Sequence, residues 1–251
     1  MGLRHTRRLS ILSRKLQEQV MIVVDNTYTS MQKSQYSSGT TNHAEHNDNP
    51  KYWDLLLGDL KNADRWNNKN ALDFACGKGR NVSNMLGLCN WNRVDGIDIS
   101  SANIDFCKQT YSNQKSNWYL NNGIDVSVLL SDEYDFVMST IALQHIPVYD
   151  IRRNIITDIL RVMRSGGLFS FQLGYGKDLS DVNNRPRSSY YDNAYTASGT
   201  NSEHDVRVQN PQDVVDDLTN IGFINVSYEI HESFSDSGHP QWIYIKAYKK
   251  S

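Results

Sequence analysis

The sequence predicts an α/β fold: a doubly wound, mostly parallel sheet of seven strands that ends in an antiparallel hairpin. Short apolar runs alternate with helical patterns along residues 50–218, which is typical of a parallel sheet with helices on both faces. The last two apolar runs are joined by residues 233–241, a loop short enough for an antiparallel pair. The 251 residues suffice for one large domain or two small ones, and the motifs favour one domain over residues 50–251.

Each predicted strand is a short apolar run bounded by turn or loop residues. The predicted strands are residues 71–75, 94–99, 118–120, 134–139, 168–173, 223–230 and 242–248. In such sheets ligands bind at the carboxyl ends of the strands. Function is therefore expected in the loops that follow the first four strands.

Before and between the predicted strands, apolar residues recur at helical spacing, which predicts helices there. The residues predicted to open these helices are Pro50 and Arg80, and Ser100, Asp150 and Asn210 as N-caps. The longest predicted helix follows Asp150, with an apolar face of isoleucines and Leu160. The pair Gly166 and Gly167 is predicted to end it.

The first 49 residues differ from the rest and are predicted to be an extension. Five basic residues precede the first acid, Glu18. The stretch fits a transit peptide, a myristoylated Gly2 with a basic second membrane signal, or a non-essential extension. We favour the last, because both targeting patterns are common by chance. Residues 25–49 are polar without periodicity and are predicted to be a mobile linker or a lid.

Composition argues against several classes of protein. The formal net charge is -2, and residues 31–251 carry 21 basic and 26 acidic side chains, so the basic excess typical of nucleic-acid binding is missing. No apolar run approaches the roughly 18 residues that a membrane span needs. Three cysteines without a C-x-x-C pair predict reduced thiols in a cytoplasmic protein rather than disulfides or zinc.

A glycine loop follows the first predicted strand, in the sequence DFACGKGRN of residues 73–81. Its glycines let the backbone bend tightly and approach a ligand closely. Neither possible register gives the G-x-G-x-x-G/A of a dinucleotide site, and the loop lacks the nucleoside-triphosphate motif. Asp73, two residues before the loop, would repel a pyrophosphate, whereas it suits a ligand with an ammonium group.

Asp98 ends the second predicted strand. An acid at this position can accept hydrogen bonds from both hydroxyls of a ribose, and its separation from Asp73 is close to the roughly 20 residues expected for such a unit. Helix capping is the alternative, but Ser100 is better placed to cap. After the third strand, the stretch NNGID (121–125) offers a polar residue for an adenine amino group and an apolar one for its ring, but taken alone it is only a turn sequence.

These motifs resemble those of the class I S-adenosylmethionine-dependent methyltransferases, whose fold is Rossmann-like. In this sequence, ALDFACGKGRN (71–81) and VDGIDIS (94–100) resemble the first and second motifs of the family. The third and fourth resemble NGID (122–125) and the stretch from YDFV to LQHIP (134–147). The stretch before the family's fifth strand resembles RVMRSGG (161–167). The similarity covers about residues 52–173.

The resemblance implies S-adenosylmethionine as the cofactor and S-adenosylhomocysteine as the product. It assigns Asp73 and the loop to the methionine end, and Asp98 to the ribose. Ala75 stands where the family usually has its first glycine; because Ala tolerates a positive φ poorly, either the loop is displaced or its backbone is ordinary there. The residues implied to bind the cofactor are Asp73, Ala75, Cys76, Gly77, Gly79, Arg80, Asp98, Ile99, Asn122, Gly123, Ile124, Thr140 and Ile141.

His145, just past the fourth strand, is the predicted catalytic base. A base is needed only if the acceptor must lose a proton, and the alternative for His145 is a structural histidine in a loop or at a helix start. Further candidates are His204, His231 and His239. A metal site from His204, Asp205 and His231 would lack any recognisable spacing, so none is predicted.

The acceptor pocket is expected in the variable segments: the extension, the insert 174–207 and the loop 233–241. Tyrosines in the insert either stack on a flat small molecule or pin the loop to the domain; they are Tyr175, Tyr190, Tyr191 and Tyr195. The fourth strand is not followed by a Pro-Pro-aromatic motif, and the chain has no Pro-Cys pair, which disfavours nucleobase acceptors.

The predicted function is therefore methyl transfer to a small-molecule O- or N-acceptor. The alternative is a non-catalytic domain that binds S-adenosylmethionine or a nucleotide and works through a partner protein. A dehydrogenase is a distant third possibility. The sequence does not indicate the oligomeric state.

Overall fold

Seven strands form one sheet in a computed structural model, which describes residues 27–39, 49–58, 60–112, 114–176, 193–196, 205–234 and 239–251. The strands are β1 (Asn70–Phe74), β2 (Arg93–Asp98), β3 (Trp118–Leu120), β4 (Tyr134–Ser139), β5 (Met163–Tyr175), β8 (Phe223–Glu232) and β9 (Gln241–Lys249). Two short strands, β6 (Asn193–Ala194) and β7 (Val206–Arg207), pair with each other.

The strand order is β3-β2-β1-β4-β5-β9-β8. The five strands from β3 to β5 are parallel, whereas β9 is antiparallel to both β5 and β8. The predicted fold class, a mostly parallel doubly wound sheet with an antiparallel hairpin at its edge, is confirmed.

Helices occupy the intervals between the strands. They are α1 (27–35), α2 (Pro50–Leu57), α3 (Arg80–Leu88), α4 (Ser101–Thr110), α5 (Tyr149–Val162) and α6 (Pro211–Ile221). Two predicted N-caps are confirmed: the Ser100 hydroxyl accepts from the Asn103 N–H, and the Asn210 side chain accepts from the Gln212 N–H.

The predicted boundaries of the longest helix are wrong at both ends. The N-cap of α5 is Val148, so that Asp150 lies in the first turn, where its charge suits the positive end of the helix dipole. At the other end the chain passes directly from Val162 into β5. Gly166, with φ of 74°, lies inside β5 where the pairing with β4 shifts register, which is a common place for glycine.

The sheet separates two apolar cores, because alternate residues of a strand point to opposite faces. Leu72 of β1 belongs to the core that includes the isoleucines of α5 and Leu218 of α6. Its neighbour Ala71 belongs to the other core, with Tyr52 of α2 and Met85 of α3. Both faces are thus covered, and the carboxyl ends of β1, β2 and β4 come together at one edge.

Helix α1 is an element that the sequence did not predict. It lies in the segment 25–49, which has no apolar periodicity, yet Tyr28, Thr29 and Gln32 are buried, and Tyr28 packs in the same core as Leu72. The lid function predicted for this segment stays a prediction. No helix within the described ranges is both long and apolar enough to cross a membrane.

Candidate active site

A cleft of about 530 Å³ opens at the carboxyl ends of β1, β2 and β4, and α1 forms one of its walls. Most of the predicted site residues line it: Ala75, Cys76, Gly77, Arg80, Asp98, Ile99, Gly123, Thr140, Ile141 and His145. The fold therefore gathers residues that are widely separated in sequence around one cavity. The roles assigned to them stay predictions.

Two of the predicted adenine contacts do not line the cleft. The Asn122 side chain is exposed and accepts from the backbone N–H groups of Ile124 and Asp125, at 2.7 and 3.0 Å. Asn121 lines the cleft instead, and its side-chain oxygen accepts from the Gly123 N–H at 2.9 Å. The two neighbouring asparagines thus have different roles: Asn122 stabilises the turn, and Asn121 faces the cavity.

Gly79 supports the loop from behind the cleft. It is the N-cap of α3, with φ of 77°, and a Cβ there would come within 2.7 Å of the rings of Tyr111 and Trp118. Only glycine fits both the backbone conformation and this packing. Gly79 therefore shapes the loop that Cys76 and Gly77 present to the cleft.

Asp73 lies just under the cleft, at the end of β1. Its side chain is 1% exposed, and its Oδ2 has no hydrogen-bond partner among the described residues. Burial raises the pKa of Asp73 to about 8; Arg80 opposes this shift, and Asp98 adds to it. A buried acid without a partner is the arrangement that a cationic group of a ligand would stabilise.

The Asp73→Asn variant should be more stable than the wild type in the absence of ligand, and its advantage should grow with pH. Between about pH 3.8 and 8 the folded protein binds a proton at Asp73 that the unfolded chain has released, so wild-type stability falls through this window. Asn does not titrate. Urea unfolding from about pH 5 to about pH 9 measures the difference; an advantage that shrinks with rising pH would contradict the raised pKa.

Asp98 holds the glycine loop to β2. Its Oδ2 accepts from the Gly77 N–H at 2.9 Å, and its Oδ1 accepts from the Ser100 N–H and the Asn103 side chain, at 2.8 and 3.1 Å. Burial raises the pKa of Asp98, and these hydrogen bonds oppose the shift. Asp98 also lines the cleft, where a carboxylate is a suitable acceptor for a ligand hydroxyl.

We expect Asp98→Ala to weaken cofactor binding at least tenfold, about 1.4 kcal/mol. The variant removes an acceptor from the cleft and also releases the Gly77 N–H. Isothermal titration with S-adenosylhomocysteine measures the effect. Asp105→Ala, an exposed substitution on α4, is the control and should bind like the wild type; unchanged affinity in Asp98→Ala would remove the ribose role.

Two non-glycine residues at the cleft have left-handed backbone conformations. Ala75 has φ of 60° and Ile141 has φ of 53°. The structure thus decides between the alternatives for Ala75: its backbone is not ordinary, because Ala takes up the conformation that glycine favours. For the β-branched Ile141 a positive φ is still more unusual, and such strained residues cluster at functional sites.

His145 ends the short 3₁₀ turn Leu143–His145, directly after β4. Its Nδ1 lies 2.8 Å from Oδ1 of Asp205, a side chain only 2% exposed. From the sequence Asp205 was a candidate only as a metal ligand, because it follows His145 by 60 positions and no local pattern indicates their pairing. The pairing of a histidine with a buried acid is the arrangement that orients a general base.

Helix α1 contacts His145 from the other side. The Tyr28 hydroxyl and the Gln32 side-chain amide both donate to the His145 carbonyl, each at 3.3 Å. Tyr36 follows α1 and lines the cleft; burial raises the pKa of its hydroxyl to about 12, and the carboxylates of Asp205 and Asp98 add to the shift. These residues could not be predicted from the sequence, because polar side chains do not produce the apolar periodicity from which a helix is predicted.

The remaining candidates lie away from the cleft or outside the described residues. His239 is buried against Trp242, and His231 is on β8 beside Glu229. Tyr195 is buried and donates to Asp217, so it pins its segment to α6. Tyr190, Tyr191 and His204 lie outside the described residues, and within them no group of His, Cys, Asp or Glu is arranged to hold a metal.

Comparison with known proteins identifies the domain. Residues 72–171 match the model of a methyltransferase domain family. Solved structures with a similar fold include an S-adenosylmethionine-dependent methyltransferase from Methanosarcina mazei (TM-score 0.57, 19% identity, 76% of this chain and 96% of that one). Another is an S-adenosylmethionine-dependent methyltransferase from Mesorhizobium loti (TM-score 0.53, 14% identity, 76% and 95%).

A third similar structure is Haemonchus contortus phosphoethanolamine N-methyltransferase 2, in complex with phosphomonomethylethanolamine and S-adenosylhomocysteine (TM-score 0.54, 14% identity, 79% of this chain and 53% of that one). No curated protein matches the sequence. Residues 72–171 thus match a methyltransferase domain, and the chain shares the fold of solved S-adenosylmethionine-dependent methyltransferases, as its motifs predict. S-adenosylmethionine is the cofactor of that class.

The residues at the cleft fit this cofactor. The unpartnered buried oxygen of Asp73 suits its ammonium group, and the carboxylate of Asp98 suits ribose hydroxyls. Gly123 has φ of 89°, and a Cβ there would lie 2.8 Å from Ile99. Glycine therefore lets the backbone of this wall of the cleft lie close to the Ile99 side chain. The roles that the resemblance implies for these residues stay predictions.

Proposed function

We propose that this protein transfers a methyl group from S-adenosylmethionine to a small-molecule O- or N-acceptor in the cleft. The observation that carries the proposal is the position of His145, which lines the same cleft as the predicted cofactor residues and is paired with a buried acid. A domain that only bound the cofactor would not require a base oriented in this way.

We divide the cleft into a cofactor end, lined by Asp98, Ile99 and Gly123 next to β2 and β3, and an acceptor end beside His145. S-adenosylmethionine supplies, when bound, a methyl group on a sulfonium that is already a good leaving group. The protein's share of the acceleration is then mainly alignment, worth up to about 7–11 kcal/mol, and removal of the acceptor's proton by His145.

The acceptor is placed among small molecules because α1 closes one side of the cleft and narrows it. The formal net charge of -2 gives no support for a nucleic-acid partner. The Haemonchus enzyme, which has a similar fold, was solved with the small amine phosphomonomethylethanolamine, and this supports a small acceptor. We also retain a cytoplasmic location for the protein, on the ground of its three free thiols.

Two measurements test the proposal. Calorimetry should detect binding of S-adenosylmethionine and S-adenosylhomocysteine and none of NAD. A metabolite extract incubated with the protein and methyl-labelled S-adenosylmethionine should yield a labelled small product. Binding of NAD alone would refute the cofactor assignment, and cofactor binding without transfer to any extract would favour the non-catalytic alternative.

A further inference from the structure

His145 and Asp205 form a pair whose geometry limits the chemistry of the acceptor. The His145 side chain is 31% exposed, whereas that of Asp205 is 2% exposed, behind the ring. We infer that Asp205 is a positioning residue that keeps the proton of neutral His145 on Nδ1, and that the acceptor carries a proton on its reacting oxygen or nitrogen. The inference rests on the proposed function for the acceptor, but not for the role of Asp205.

Both partners are anchored to the carboxyl end of β5. Gln144, next to His145, accepts from the Gly174 N–H through its side chain at 3.3 Å. On the other side, Val208 follows Asp205 closely; its N–H donates to the Gly174 carbonyl at 2.9 Å, and its carbonyl accepts from the Gly176 N–H at 3.0 Å. The same end of one strand therefore fixes both members of the pair.

The position of the proton follows from the chemistry of the two groups. A carboxylate accepts hydrogen bonds and does not donate them, so the hydrogen in the 2.8 Å contact belongs to Nδ1. In the neutral ring the other nitrogen, Nε2, then holds the free electron pair. Within the described ranges, no side chain forms a hydrogen bond with Nε2, and Oδ2 of Asp205 is buried without a partner. No other donor in these ranges therefore competes with His145 for the negative charge of Asp205.

Such a base is useful only to an acceptor that has a proton to lose. The acceptor's oxygen or nitrogen forms a bond to the methyl carbon while the carbon–sulfur bond breaks, and that electron pair stays on sulfur. The acceptor's proton moves to Nε2, and Asp205 offsets the positive charge that His145 gains.

A hydroxyl, or an amine whose reacting nitrogen carries a hydrogen, therefore fits this end of the cleft. A carboxylate acceptor has no proton to give, and it would come close to the negative charge of Asp205. The cationic side chains that line the cleft, Lys78 and Arg80, belong to the glycine loop and its helix rather than to the turn of His145. The inferred reaction thus yields a methyl ether or an N-methyl product, and not a methyl ester.

Nitrogen-15 NMR of the cofactor-free protein tests the role of Asp205 directly. Neutral His145 should carry its proton mainly on Nδ1 in the wild type. In Asp205→Asn the side-chain amide can donate to that nitrogen, so the proton should shift to Nε2. A predominant Nε2–H form in the wild type, or the same form in both proteins, would overturn the positioning role.

Asp217→Asn is the matched control for a buried carboxylate. Asp217 is 5% exposed and accepts from the hydroxyls of Tyr149 and Tyr195, not from His145. Its replacement should leave the His145 tautomer as in the wild type. A shift of equal size in this variant would show that any buried charge acts on His145, and the specific role of Asp205 would fall.

Activity and product chemistry test the acceptor class. Asp205→Asn should lower kcat at least 100-fold while S-adenosylhomocysteine affinity changes less than twofold. The labelled product should keep its label in mild alkali, as methyl ethers and N-methyl groups do. Release of the label as volatile methanol would indicate an ester and overturn the acceptor class. If no cofactor binds, the proposed function fails, whereas the NMR result still decides the role of Asp205.

Discussion

Replacing His145 with Gln should lower kcat about 10²–10⁴-fold, the range that a positioned general base contributes. Gln keeps a polar side chain of similar length but cannot accept a proton at neutral pH. His145 contacts α1 through its backbone carbonyl, which the variant retains, so the wall of the cleft should stay in place. Steady-state kinetics with the acceptor identified from the extract, together with calorimetry, separates the loss of turnover from any loss of cofactor affinity.

His231→Gln is the control for this experiment. His231 lies on β8 beside Glu229, and it does not line the cleft, so this variant should turn over like the wild type. Equal turnover of His145→Gln and the wild type would return His145 to a structural role. A tenfold loss of cofactor affinity in His145→Gln would instead show that the residue shapes the cofactor end.

The second large effect concerns stability: Arg152→Met should lose about 3–5 kcal/mol of unfolding free energy. Arg152 on α5 is completely buried, and its guanidinium donates to the carbonyls of Ile146 and Tyr195. It also lies 4.8 Å from the centroid of the Tyr195 ring. Burial lowers the pKa of Arg152. Its removal would leave the buried Tyr195 carbonyl and the partly buried Ile146 carbonyl without this donor, and Asp217 without a nearby buried cation.

Arg153→Met is the matched control, because Arg153 is the next residue of the same helix. Its side chain is 44% exposed and meets the buried Asp217 at 3.3 Å. Because water screens this guanidinium and Asp217 keeps the hydroxyls of Tyr149 and Tyr195 as donors, its loss should cost about 1 kcal/mol. Urea unfolding of the two variants should therefore differ clearly. Similar losses in both would show that the guanidinium of Arg152 contributes no more than a surface charge.

Most of the fold could be predicted from the sequence because its signals are local and apolar. The strand Tyr134–Ser139 and the helix Arg80–Leu88 occur at the predicted residues, since each is one apolar pattern bounded by turn residues. The end of α5 could not be predicted: Gly166 interrupts an apolar run in either a helix or a strand, and only the register shift against β4 identifies it as part of a strand.

The cofactor end of the site was predictable to a greater extent than the acceptor end. Asp73 and Asp98 lie at the carboxyl ends of β1 and β2, so that the strand pattern fixes their place. Asp205 and Gln32 meet His145 only through the folded chain, and they are polar residues in segments without periodicity. Their partners lie 60 and 113 residues away, which is beyond what a local pattern can indicate.

The wall that α1 builds has a consequence for how specificity can change. Residues 72–171 match the family model, whereas Tyr28, Gln32 and Asp205, which surround His145, all lie outside that span. Under the proposed function, several residues that shape the surroundings of His145 are thus encoded outside the stretch that carries the family motifs. Directed evolution confined to residues 27–39 and 205–208 can therefore search for new acceptors while the cofactor loop is left untouched.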